Sequence, residues 1–130
     1  MGVENIAVIG SGQMGSGIAQ VAALSGYSVL LIDIKNEFIE RGILAIESSL
    51  AKFVSKEKIT QEDSNNAIER ISTSLDRNDC SKMDLVIEAI PEIPNLKYDL
   101  FEELDKICKP STILASNTSS ISINELASHT

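Results

Sequence analysis

Tryptophan is absent from this 130-residue chain, and aromatic residues make up only 4% of it. Any core must therefore be built from Ile, Leu, Val and Ala. Two cysteines occur, Cys80 and Cys108, 28 positions apart with no CxxC pair, which reads as two reduced thiols of a cytoplasmic protein and not a disulfide framework. Basic residues are few: 11 Lys plus Arg stand against 19 Asp plus Glu, for a net charge of −8 and a pI near 4.6. A surface of that sign argues against nucleic acid or an anionic membrane as partner. No apolar run approaches the roughly 18 to 20 residues that span a bilayer. The first strand-like segment begins so close to Met1 that no targeting peptide is expected ahead of it. Histidine occurs once, at His129, and is read as an exposed tail residue. Repeats, low-complexity stretches and long Gly/Ser/Pro linkers are also missing.

Apolar residues at 43% and charged residues at 23% describe a globular chain, long enough for one domain with a buried core. Short apolar runs alternate with longer amphipathic ones. Residues 5–9 (NIAVI) read as a strand buried on both faces, ending at Gly10. Residues 14–24 read as a thin helix, with Ile18, Val21 and Ala22 on one face and Gly26 stopping it. Residues 28–32 (SVLLI) form a second strand closing on Asp33. Residues 36–54 form a long helix, with Phe38, Ile39, Ile43, Ile46, Leu50 and Phe53 at spacings of three and four. Thr60 followed by Glu62 and Asp63 marks the start of a short helix running to about Arg70. Strands are expected at 71–75, 85–90 and 112–116, a helix at 95–108 with Leu96, Leu100, Leu104 and Ile107 on one stripe, and a last helix opened by the capping box Ser122 to Glu125. This alternation predicts an α/β fold: a doubly wound parallel sheet of the Rossmann type, three layers deep, with about five strands where a complete fold has six. The last helix stops abruptly. The expectation is that residues 1–130 are one domain, the N-terminal part of a longer polypeptide.

The sharpest chemical signal is Gly10-Ser11-Gly12-Gln13-Met14-Gly15. A buried strand precedes it, a helix follows it, and a second strand ends on Asp33, 18 positions past Gly15. That is the context a dinucleotide-binding GxGxxG needs. Gly10 permits the tight turn, Gly12 lets a pyrophosphate approach the backbone, and Gly15 lets the helix pack closely. Free amides in the first helical turn attract phosphate without any basic side chain. Asp33 would accept the adenosine ribose hydroxyls and repel a 2′-phosphate, which favours NAD over NADP. No metal site is expected. Glycine spacing alone leaves an FAD-binding half of a flavoprotein and a non-catalytic dinucleotide module open. Two further segments fall at the carboxyl ends of strands: Glu88-Ala89-Ile90-Pro91-Glu92 and Ser116-Asn117-Thr118-Ser119-Ser120. The second is a cluster of uncharged donors and acceptors that can orient a substrate oxygen.

Three motifs, in order along essentially the whole chain, carry a family resemblance: residues 8–20 (VIGSGQMGSGIAQ), residues 84–89 (DLVIEA) and residues 115–121 (ASNTSSI), with Leu100-Phe101 between the last two. Together they resemble the NAD-binding domain of the L-3-hydroxyacyl-CoA dehydrogenases, a group that includes the 3-hydroxybutyryl-CoA dehydrogenases of fatty acid metabolism. The resemblance implies a reversible hydride transfer between C3 of a (3S)-3-hydroxyacyl-CoA and NAD. It implies that Gly10 to Gly15 and Asp33 hold NAD, and that Glu92 and Lys97 line its nicotinamide side. Ser119 would touch both substrate and cofactor, with Asn117 in the same catalytic motif. Ser49 and Lys56 would contact coenzyme A, and Lys52, Lys56 and Lys58 are the densest basic stretch in the chain. Two departures are visible. Pro91 and Pro94 bracket Glu92 and stiffen that loop. The family's general base, a His in a His-Phe-Phe-Asn-Pro stretch, has no counterpart here, nor has its dimerising C-terminal helical domain. The chain alone is therefore expected to bind NAD without turnover, within a parent that is a homodimer.

Overall fold

The computed structural model describes residues 3–90 and 94–116. Five strands run in the order β1 (Asn5–Ile9), β2 (Ser28–Ile32), β3 (Ile71–Ser74), β4 (Leu85–Glu88) and β5 (Ile113–Ser116). The helices are α1 (Gln13–Leu24), α2 (Asn36–Ser55), α3 (Gln61–Glu69) and α4 (Pro94–Ile107). The strands form one sheet in the order β3-β2-β1-β4-β5, every neighbouring pair parallel. Chain progression reverses direction between β1 and β4. Right-handed crossovers then place the helices that follow those two strands on opposite faces.

The side-chain period of a strand divides the core accordingly. Ile6 and Val8 of β1 face a cluster with Ala19, Ala22 and Ala23 of α1, Ile46 and Leu50 of α2, and Ala67 of α3. Ala7 and Ile9 face a second cluster with Leu100 and Leu104 of α4 and Cys80. Each fully buried Leu or Ile contributes roughly 1.5–3 kcal/mol of transfer free energy. The alanines of α1 keep that helix close to the sheet, as expected, but Val21 is 55% exposed. The buried residues of α1 are Gly15, Ser16, Ala19, Gln20, Ala22 and Ala23. At about 100° per residue their arc centres opposite Val21, so its expected place on the buried face is corrected.

The strand expectations survive with shorter ends. β4 stops at Glu88 and not at Ile90, because the Glu88 carboxylate turns back to accept the Ile90 amide at 2.7 Å. Thr60 and Asp63 form a reciprocal capping box at the start of α3, each side chain accepting the other's backbone amide. The segment Arg77–Lys82 forms a 3-10 helix that sequence periodicity did not show. It carries Cys80 into the α4-side core. The expected helix opened by Ser122, and His129, lie outside the described residues. Among the described residues no helix is long and apolar enough to cross a membrane.

Asp84, just before β4, ties three segments together at the amino edge of the sheet. Its carboxylate accepts the amides of Glu4 at 3.0 Å and Asn5 at 2.9 Å, and the Lys109 ammonium at 3.0 Å. Those two amide bonds, then the bond from Lys109, lower its pKa from the ordinary 3.8 to about 2. Its stabilising effect is present above the unfolded pKa and fades as pH falls through 4 toward 2. Asp84→Asn should cost about 1 kcal/mol at pH 7, allowing for solvent screening. In thermal melts the gap to wild type should close by pH 2; a gap unchanged with pH would contradict this. Burial, followed by the neighbouring Cys108, pushes the Cys80 thiol up to about 12. Cys80 should react with a disulfide reagent at pH 8 more than about a hundredfold more slowly than in the unfolded chain. Equal rates would show that it is not held in the core.

Candidate dinucleotide site

The site lies at the carboxyl ends of β1 and β4, from which the chain passes to helices on opposite faces of the sheet. Gly10 leaves β1 with φ of +106°, a conformation that disfavours any side chain, while its amide donates to the Ile32 carbonyl at 2.7 Å. A Cβ on Gly10 would sit 2.6 Å from the Ala89 carbonyl oxygen. A Cβ on Gly15 would collide with the carbonyl oxygen of Gly10. These two glycines are thus required by the protein's own packing. Gly12 differs: nothing lies within 4 Å of a Cβ placed there. Its freedom from a side chain leaves open space on the outer side of the turn.

Helix α1 starts at once. Gly12 is its N-cap, no side chain caps it, and its first turn holds no acidic residue. The first amides of an α-helix have no intrahelical partner and carry the positive end of the helix dipole. Gln13 and Met14 are exposed beside the open face of Gly12. An uncapped helix start above a side-chain-free turn fits the diphosphate of NAD, and it can hold an anion in a chain of net charge −8 because the attraction is local.

Asp33 follows β2 at the same edge, half-buried. Its Oδ2 accepts both the amide of Ser11 at 2.8 Å and the hydroxyl of Ser11 at 2.6 Å. Its Oδ1 accepts the Ile34 amide at 2.7 Å. A carboxylate offers about four lone-pair positions, so these three bonds leave roughly one, on Oδ1, for a ribose hydroxyl. Ser11 is itself 3% exposed, and its carbonyl accepts the Ser16 hydroxyl at 2.7 Å. Helix α2 closes on this knot through Gly42. A Cβ at Gly42 would lie 2.8 Å from the Ser11 carbonyl oxygen and 2.9 Å from Ser16 Oγ. Sequence reading missed Ser16, Gly42 and the Ser11 side-chain bond. The available signal was Gly42 itself: an interior helix glycine costs up to about 1 kcal/mol and so calls for a packing reason.

The remaining expected residues fall in three places. Glu88, fully buried at the end of β4, pairs in register with Ser116, so β5 ends at the same edge of the sheet as the glycine turn. Asn117, Ser119 and Glu92 lie outside the described residues. Lys97 is in the first turn of α4, where the backbone alone is described. Ser49 and Lys56 are not brought to the glycine turn; α2 meets that turn at Gly42, and they lie about 10 and 21 Å further along the helix. Ser49 accepts the Gln20 side-chain amide at 2.9 Å, which ties α2 to α1. Lys56 is exposed just past the last residue of α2. The helix closes there with the Lys58 amide donating to Phe53 and the Glu57 amide to Val54, and Glu57 takes φ of +59°. The Lys58 ammonium lies 5.9 Å from the Phe53 ring centroid. A separate cavity of about 540 Å³ opens at the amino edge, between Asn5, Ser28, Asn66 and Arg70, and includes none of the expected site residues. Among the described residues no group of three His, Cys, Asp or Glu side chains could hold a metal.

Comparison with known proteins agrees with this geometry. The family model for the NAD-binding domain of 3-hydroxyacyl-CoA dehydrogenase matches residues 5–130. A probable 3-hydroxybutyryl-CoA dehydrogenase of Deinococcus radiodurans is 52% identical over 120 residues, covering 92% of this chain and 43% of the relative. Its Bacillus subtilis counterpart is 45% identical over 130 residues, covering all of this chain and 45% of the relative. The crystal structure of 3-hydroxybutyryl-CoA dehydrogenase from Escherichia coli K12 superposes with a TM-score of 0.89 at 43% identity, over 97% of this chain and 27% of that one. The chain spans less than half the length of these relatives. Its sheet order, its glycine turn and these matches together place the chain in the 3-hydroxyacyl-CoA dehydrogenase family, as that family's NAD-binding domain.

Proposed function

We propose that this chain is the NAD-holding half of a dehydrogenase that interconverts a (3S)-3-hydroxyacyl-CoA and the 3-oxoacyl-CoA. NAD, when bound, supplies the hydride acceptor. The amides opening α1 hold the diphosphate beside Gly12, and Asp33 accepts an adenosine ribose hydroxyl and repels a 2′-phosphate. Glu92 and Lys97 line the nicotinamide side. Ser119 and Asn117, which follow β5 in the sequence, orient the substrate oxygen. Ser49 and Lys56 contact the coenzyme A portion, well along α2 from the glycine turn, so an extended ligand is needed to reach both. The parent is a cytoplasmic homodimer assembled through its C-terminal half. The observation that carries this reading is the open face at Gly12 set against an uncapped helix start, with Asp33 fixed alongside.

The one histidine of the chain, His129, is not in the family's His-Phe-Phe-Asn-Pro motif. With no counterpart of that base, the 130 residues by themselves bind NADH but do not reduce a 3-oxoacyl group. In a fluorescence titration the chain should bind NADH saturably and NADPH at least about tenfold more weakly, and Asp33→Asn should narrow that ratio. With acetoacetyl-CoA and NADH it should show no turnover. Failure to bind NADH would contradict the cofactor reading. Turnover at the rate of an ordinary dehydrogenase would contradict the missing-base reading.

A further inference from the structure

The Asp33 carboxylate does not stand free at the ribose position; a buried serine holds it. Ser11 gives two donors, its amide at 2.8 Å and its hydroxyl at 2.6 Å, to the same oxygen, Oδ2. Charge-assisted bonds of this kind are short and directional. Their joint effect is to fix the carboxylate plane, with Oδ2 turned inward and Oδ1 turned toward the Ile34 amide and the open edge. Ser11 is only 3% exposed, so its hydroxyl is not placed to meet a nucleotide. Its own position is over-determined: the Ser16 hydroxyl bonds its carbonyl at 2.7 Å, and α2 approaches so closely at Gly42 that a Cβ there would lie 3.1 Å from the Ser11 Cβ.

We infer that Ser11 is a positioning residue for cofactor choice: by saturating Asp33 Oδ2 it aims the Oδ1 lone pair and the carboxylate charge at the adenosine 2′-position, and so sets the preference for NADH over NADPH. This rests on the reading of Asp33 as the ribose acceptor. The GxGxxG pattern leaves the residue after the first glycine unspecified, and the pattern's purpose at Ser11 comes from its hydroxyl, not from the turn. Without that hydroxyl the carboxylate keeps the Ser11 and Ile34 amides as donors but gains rotational freedom. It can then swing away from a 2′-phosphate, at a smaller cost to NADPH than to NADH.

The test is a double-mutant cycle on the chain, titrating NADH and NADPH by fluorescence into wild type, Ser11→Ala, Asp33→Asn and the double variant. Ser11→Ala should reduce the NADH-to-NADPH affinity ratio by about tenfold, the scale of one hydrogen bond to a charged group. The same substitution should leave the ratio unchanged when Asp33 is already Asn. An equal weakening of both nucleotides, with the ratio constant, would show a purely structural Ser11 and overturn the inference. So would a full Ser11 effect in the Asp33→Asn background. If Asp33→Asn alone leaves the ratio at the wild-type value, the ribose reading of Asp33 fails first, and the role of Ser11 falls with it. Circular dichroism melts report folding. Ser11→Gly, which lacks the same hydroxyl, supplies the comparison if the alanine variant does not fold, with the same expected and overturning outcomes.

Discussion

The start of α1 rests on the carbonyl of Gly10. Only because Gly15 has no side chain can the helix come down onto that carbonyl, and only because Gly10 has none can the turn tuck beneath Ala89 at the end of β4. This contact seats the uncapped amides of the helix at the carboxyl ends of β1 and β4. Move the helix outward by the width of a methyl group and three things shift together. The amides leave the crevice, Ser11 loses its alignment with Asp33, and α2 loses the close approach that Gly42 permits.

Backbone dipoles at that point also resolve a contradiction in the composition. A chain of net charge −8 is a poor binder of anions by long-range field. Yet screening confines the general repulsion to about 8–10 Å at ordinary ionic strength, and the amides of α1 act within hydrogen-bond reach. No carboxylate occupies the first turn of α1 to offset them. The acidic residue that is nearby, Asp33, is held by three donors with one acceptor position left.

Much of this was legible in the residues. Four of the five strands announced themselves as short apolar runs, whereas β3, Ile71–Ser74, is mostly polar and half-exposed and gave a much fainter signal. Thr60 and Asp63 signalled the start of α3 at the right position. Gly10 and Gly15 fell into place because each is required by local packing that the spacing encodes. What spacing could not encode was tertiary. The exposure of Val21 depends on which arc of α1 meets the sheet, and an alanine-rich helix offers little contrast to decide that. The early end of β4 depends on the Glu88 side chain taking the Ile90 amide. The clamp of Ser11 on Asp33 joins residues 22 positions apart, and the Gly42 contact joins elements whose packing angle no local pattern specifies. Residues 117–130, which carry Asn117 and Ser119, lie outside the described residues, and the family assignment rests on sequence matches that run through them to residue 130.

The most direct measurement is a crystal structure of the chain grown with NADH. The account predicts the diphosphate within hydrogen-bond distance of the Gln13 and Met14 amides, passing over Gly12, with one adenosine ribose hydroxyl on Asp33 Oδ1 and both Ser11 bonds to Oδ2 retained. A nucleotide bound elsewhere, such as in the cavity at the amino edge of the sheet, or one that reaches the glycine turn only after the Ser11 to Asp33 bonds have broken, would contradict it.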